Sequence, residues 1–245
     1  MRLLRGDCLE RMKDIPDESV DMVLCDPPYG ITQAKWDSVI PLPEMWAELK
    51  RIAKPAAAIV LFCQMPFTAE LVCSNEKDFR YMWVWNKHYR RNFLNAKKQP
   101  LRQTENIAVF YKKQCKYYPR MRKGAMRVKG TSSKQRGGYG HYTATRCRND
   151  QYYPTDILDF IGVPVNELLH QNQKPVPLLK YLVETYTDPG DIVLDFAMGS
   201  GSTGVACIEA GRDFIGIELD DEYFGIAKRR IENAKENGND KERST

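Results

Sequence analysis

The chain has 245 residues, 42% of them hydrophobic and 28% charged, enough for one globular α/β domain with a small insertion. Its longest apolar run, Ala56 to Cys63, is too short to span a bilayer, and Met1 to Asp7 has no apolar signal region, so a soluble, cytoplasmic protein away from membranes is expected. The 7 cysteines never fall in C-x-x-C spacing, which argues for reduced thiols and against a metal site or disulfides; the net charge of +5 is unevenly spread, residues 113–150 holding eleven Lys or Arg against Asp150 alone.

In chain order, Leu3-Leu4 reads as a short strand ending at Gly6-Asp7, and Cys8 to Ile15 as a short helix stopped by Pro16. Val20 to Cys25 is a buried strand that runs into Asp26-Pro27-Pro28-Tyr29-Gly30. Two prolines cannot extend a central strand, so the backbone must leave the sheet there, holding a carboxylate and an aromatic ring at a strand's C-terminal edge. Open α/β sheets bind ligands at that edge. Ile31 to Pro43, with Trp36, reads as a loop over the substrate; Glu44 to Lys54 is a helix, Ala56 to Cys63 a strand and Pro66 to Ser74 a helix. Arg80 to Trp85 and Asn106 to Tyr111 are expected to pair antiparallel across a polar excursion, Asn86 to Gln103.

Residues 113–150 interleave bases with Tyr117, Tyr118, Tyr139 and Tyr142, which favours a segment that orders at least on binding a polyanion. Order resumes at Tyr153 to Phe160, followed by a helix over Gln173 to Thr187. Asp191 to Phe196 is a strand, Ala197 to Gly204 a glycine-rich turn, Val205 to Ala210 a helix, Phe214 to Glu218 a strand and Asp221 to Ala234 a helix before a charged tail. Glycines at a strand-to-helix turn bring backbone close to a ligand, and Glu218 at the end of the next strand suits ribose hydroxyls, so a nucleoside cofactor is expected. Gly204 completes a dinucleotide spacing, which leaves a nicotinamide enzyme open.

Together the two motifs resemble the amino-group (N6-adenine/N4-cytosine) DNA methyltransferases that use S-adenosylmethionine. Asp26-Pro27-Pro28-Tyr29 is similar to their catalytic motif, Asp195 to Gly204 followed by Glu218 to their cofactor motifs, and His170-x-x-Gln173-Lys174-Pro175 to a segment over the methionine moiety. The order, catalytic motif, basic insert, cofactor motif, is the beta-class arrangement. One departure is Asp195-Phe196-Ala197-Met198-Gly199, where the family usually reads Asp-Pro-Phe-x-Gly.

The resemblance implies an α/β, Rossmann-like methyltransferase fold: a mostly parallel seven-stranded sheet with an antiparallel hairpin strand, circularly permuted. A catalytic half would span residues 1–112, a basic recognition insert 113–165, the cofactor half 166–236 and a polar tail 237–245. It implies catalysis by Asp26, Pro27, Pro28 and Tyr29. S-adenosylmethionine would be bound by Asp7, Lys174, Asp195, Phe196, Gly199, Ser200, Gly201, Ser202, Thr203 and Glu218, Asp7 equally reading as a turn cap. Double-stranded DNA would meet Arg120, Arg122, Lys123, Arg127, Lys129, Lys134, Arg136, Arg146 and Arg148. Adenine N6 is the expected target by resemblance, with cytosine N4, an RNA substrate or a catalytically inactive DNA-binding relative as alternatives; a homodimer is left open.

Overall fold

In β2 (Val20–Cys25), Met22 and Leu24 point to one face of a sheet and Val23 and Cys25 to the other, all at most 1% exposed. Burial on both faces requires a helix layer on each side. The computed structural model, which describes residues 1–30, 38–130, 146–170 and 172–242, has both layers.

The main sheet runs β1 (Arg2–Arg5), β10 (Asp213–Glu218), β9 (Ile192–Asp195), β2, β3 (Ala53–Cys63), β5 (Arg102–Phe110), β4 (Phe79–Arg91) and β8 (Ile157–Asp159). Every pairing is parallel except those of β5, antiparallel to both neighbours. Helices α1 (Cys8–Met12), α2 (Leu42–Ile52) and α3 (Phe67–Ser74) cover one face, packing Met45, Leu49 and Phe67 with Val23, Leu61 and Phe110. Helices α4 (Val176–Tyr186), α5 (Ser202–Glu209) and α6 (Asp221–Glu242) cover the other, packing Leu182, Ala206 and Ile231 with Met22, Val60 and Val109.

Strands β9 and β2 are parallel neighbours, yet the chain leaves β9 toward β10 and leaves β2 toward β3. Their carboxyl ends therefore flank a topological switch point, where such sheets hold ligands. The glycine-rich turn follows one strand and Asp26 the other.

The sheet has eight strands where seven were expected. The added strand, β8, is a three-residue edge strand without apolar alternation, held by Val84 N donating to Asp156 O at 2.8 Å and Asn86 Nδ2 donating to Asp159 Oδ1 at 2.8 Å. Strands β4 and β5 also run several residues past their apolar stretches, because the backbone ladder continues where the buried face ends. Helix α6 extends through the expected polar tail to Glu242, whose Lys and Glu residues are good helix formers. Among the described residues no helix is long and apolar enough to cross a membrane.

Residues Pro119–Thr155 form a separate unit, an antiparallel hairpin of β6 (Arg122–Gly130) and β7 (Arg146–Tyr152). The ends of the expected insert, 113–118 and 156–165, belong instead to the main unit. Cys115 is buried there, Lys113 N donates to Pro55 O at 3.1 Å and Tyr118 N donates to Thr185 O at 2.8 Å. Lys134, Arg136 and the loop residue Trp36 lie outside the described residues, as do the side chains of Lys129 and Arg146.

Candidate active site

Pro27 and Pro28 end β2, and Asp26 is held at the turn with its side chain 18% exposed. One carboxylate oxygen, Oδ2, accepts from Lys174 Nζ at 2.7 Å; the other accepts a short hydrogen bond from the Tyr29 hydroxyl. Lys174 Nζ also reaches Glu105 Oε1 at 2.8 Å, and Tyr29 lies 3.1 Å from that same oxygen. Lys87 pairs with the second Glu105 oxygen. The result is a buried cluster of two carboxylates and two ammonium groups, closed by the phenol. Neither Glu105 nor Lys87 was singled out from the sequence.

Burial raises the Asp26 carboxyl above its ordinary value, against the pull of Lys174 and with a further push from Glu105. Burial pushes Glu105 the same way, but Lys174 and Lys87 outweigh it and hold that carboxyl at about 2. A charged Asp26 is thus made a better proton acceptor than a surface carboxylate. The Tyr29 ring stacks on Phe67, with centroids 5.2 Å apart and planes at 26°.

Across the switch point the glycine turn is built around two acids. Asp195, 4% exposed, accepts from Thr203 Oγ1 at 2.6 Å and from Ala197 N at 3.2 Å. Burial pushes it up to about 6 against those bonds. Glu218 accepts from Gly199 N at 2.8 Å and from Asp220 N at 2.9 Å, joining the turn to the end of β10, and burial raises it as well. Gly201 has φ +78°, and a Cβ there would stand 2.9 Å from Ala227 Cβ, so glycine lets the turn sit on α6. Arg230 of α6 donates to Ser200 O at 2.6 Å. His170 packs against Tyr223 with centroids 4.3 Å apart, and burial, with the Lys174 charge, pushes it down to about 4. Asp7 accepts from Glu10 N at 3.2 Å as the cap of α1.

These groups line one cavity: Asp7, Asp26, Pro27, Pro28, Lys174, Asp195, Phe196, Gly199, Ser200, Ser202, Thr203 and Glu218, with Phe62, His170 and Tyr223. Asp7 is therefore both a cap and a wall residue. Phe196, though displaced by one position from the usual motif, is 1% exposed and still lines the cavity. Of the catalytic and cofactor residues expected from the sequence, Tyr29 and Gly201 stand outside its lining. Lys174 lines the cavity, but its ammonium is on Asp26 and Glu105. Among the described residues the wall carries four carboxylates, Asp7, Asp26, Asp195 and Glu218, against the Lys174 ammonium.

In the separate hairpin unit Arg120, Arg122, Lys123 and Arg148 are exposed. Arg127 instead lies over the Tyr152 ring at 3.6 Å and donates to Gln151 O at 3.2 Å.

The family of N6 and N4 methyltransferases, described as DNA methylase, matches residues 20–229. The chain belongs to the DNA methylase family. It is similar to the DNA adenine methyltransferase YhdJ of Escherichia coli, 32% identical over 94% of this chain and 82% of that protein. A crystal structure of an M1.HpyAVI–SAM complex superposes with a TM-score of 0.65, at 24% identity, over 94% of this chain and 98% of that one. The cytosine-N4-specific PvuII DNA methyltransferase shares the fold, with a TM-score of 0.64 at 16% identity over 96% of this chain and 91% of that one.

Proposed function

We propose that this DNA methylase transfers a methyl group from S-adenosylmethionine to the exocyclic N6 of an adenine rotated out of duplex DNA. The observation that carries the reading is the cavity at the switch point, which unites the Asp26 corner and the glycine turn.

The wall fits that cofactor. S-adenosylmethionine has a sulfonium, an ammonium and one carboxylate, a net cation, and the wall is rich in carboxylates. A nicotinamide dinucleotide would bring a pyrophosphate to the turn, where the Gly199 amide already donates to Glu218 and acids surround it. Glu218 and Asp7 would hold the nucleoside part, and Asp195, Gly199, Ser200 and Thr203 the remainder. When bound, the cofactor supplies an electrophilic methyl group.

An exocyclic amine is conjugated into its ring and is a poor nucleophile. Asp26 accepts one of its N–H groups and the Pro27 carbonyl the other, drawing the nitrogen toward sp³ and localising its lone pair. With the methyl group supplied by the bound cofactor, the surplus proton left on the nitrogen would pass to the Asp26 carboxylate or to water. Pro28 keeps the corner rigid, and Tyr29 braces it through its hydroxyl. Adenine is favoured over cytosine by the Asp-Pro-Pro-Tyr corner and by the adenine specificity in the name of the YhdJ relative.

The test is to incubate the protein with labelled S-adenosylmethionine and DNA from a methylation-free strain, then digest the DNA and identify the modified nucleoside. N6-methyladenine is expected; N4-methylcytosine would overturn the base assignment. Asp26→Ala should retain cofactor binding and lose transfer, and retained turnover would remove Asp26 from its role.

A further inference from the structure

Strand β4 is parallel to β2 and β3, so its carboxyl end, and the turn that leads back into β5, project from the same sheet edge as Asp26. Trp85 pairs with Glu105 at the level of the buried ion cluster. From there β4 bulges between Asn86 and Arg91, and Arg91 pairs with Arg102, three residues from Glu105 and on the order of 10 Å farther along at strand rise. At the tip a single 3-10 turn (Phe93–Asn95) presents Phe93 at 76% and Leu94 at 83% exposure. Among the described residues no core side chain covers either of them.

The surrounding charge is one-sided. Residues 86–103 contain Lys87, Arg90, Arg91, Lys97, Lys98 and Arg102 and no Asp or Glu, within a body that is acidic outside the insert. A polar cavity lined by Trp85, Lys87, Asn92, Arg102, Glu105 and Lys174 joins the base of this hairpin to the cluster that holds Asp26. An exposed aromatic–aliphatic pair within a basic rim matches a duplex whose stacked bases lie between phosphates.

We infer that the β4–β5 hairpin tip is a second DNA-contacting surface, in which Phe93 and Leu94 enter the base stack beside the target and Lys97 and Lys98 hold flanking phosphates. The inference rests on the DNA methylase reading above and adds a surface separate from the basic insert. The wedge replaces stacking lost when the target base leaves the helix, and the basic rim keeps the opened backbone against the sheet edge. The extruded base then has the polar cavity as its approach to Asp26.

The test compares wild type with Phe93→Ala/Leu94→Ala and with Lys97→Glu/Lys98→Glu. It uses single-turnover methylation of duplex DNA at saturating cofactor, anisotropy of a labelled duplex across salt concentrations, calorimetry with S-adenosylmethionine, and light scattering of the free protein. All four substituted residues are exposed and none lines the cofactor cavity, so cofactor affinity is expected to stay within 2-fold, which reports on folding. The apolar double variant should lose at least 10-fold in methylation rate at saturating DNA while DNA affinity changes less than 3-fold. The charge variant should lose DNA affinity, with a salt slope shallower by roughly 2. A methylation rate within 3-fold of wild type for the apolar variant overturns the wedge, and an unchanged slope overturns the phosphate contacts. Loss of self-association in either variant overturns the inference in favour of a contact between copies. Wild type that transfers no methyl group to any DNA instead overturns the functional reading itself.

Discussion

Lys174 stands 148 residues from Asp26 in the chain, yet its Nζ lies 2.7 Å from Asp26 Oδ2. Both Asp26 oxygens are thus already accepting, one from this ammonium and one from Tyr29, so an incoming amine either shares an oxygen through a remaining lone pair or exchanges with a donor. Glu105 makes that exchange less costly, because Lys174 keeps a second buried carboxylate when it releases the first.

Removing the ammonium should therefore act through protonation. In Lys174→Met, Asp26 faces Glu105 with no cation between them, so its already raised pKa rises further, and a protonated acid accepts an N–H more weakly and cannot take up the proton. The acid limb of the single-turnover rate should move up by at least one pH unit, with partial recovery at pH 9 and stability lower by about 3 kcal/mol. An unmoved limb would remove the lysine from control of Asp26.

Asp195 offers a trade between stability and binding. Its folded-state pKa is raised from 3.8 to about 6, so the folded chain binds this proton more tightly than the unfolded one. The cost of ionising the buried group is absent below the unfolded value, grows between the two, and is complete above about pH 6. It amounts to roughly 3 kcal/mol at most. Asp195→Asn should raise the melting temperature of the cofactor-free protein at pH 7.5, leave it nearly unchanged at pH 4, and weaken S-adenosylmethionine binding at least 10-fold. Melting scans at the two pH values with a calorimetric titration decide it.

Gly201→Ala places a side chain at φ +78° and a Cβ 3.0 Å from the Ala227 backbone. Positive-φ strain and the displacement of α6 together should cost about 2–3 kcal/mol, lowering the melting temperature by roughly 5–10 °C. A melt within 1 °C of wild type would mean that the turn and α6 are not tightly apposed.

The features legible in the sequence were those with local causes. Two prolines end β2 at Asp26, and glycines open the turn after β9, whatever the rest of the chain does. Lys87 was not legible because it lies in a polar stretch that reads as loop, nor Glu105 because it falls in the gap between that stretch and the expected strand; only the pairing of β5 with β3 and β4 carries them to Asp26. The basic tip at Phe93 carried a readable signal, six bases without an acid, obscured by the still more basic insert. The hairpin of the insert has mostly exposed strands, so no periodicity announced it. The sequence did place Arg127 among the DNA contacts, but could not foresee that it would stack on Tyr152.

That stacking separates the bases of the hairpin into two kinds. Arg122, Lys123 and Arg148 are exposed, and side chains of that sort hold phosphates, each contact releasing counterions and contributing about 0.9 to the salt slope of DNA binding. Arg122→Ala/Lys123→Ala/Arg148→Ala should weaken binding and flatten the slope by roughly 2–3, measured by anisotropy between 50 and 200 mM salt on the order used for such titrations. Arg127→Ala removes a ring contact and a backbone hydrogen bond, so its first effect should be on the hairpin itself: faster proteolysis within residues 119–155. If the triple variant keeps the wild-type slope, the exposed bases of this hairpin do not hold DNA. If Arg127→Ala flattens the slope without any gain in proteolysis, Arg127 is itself a phosphate contact rather than a brace.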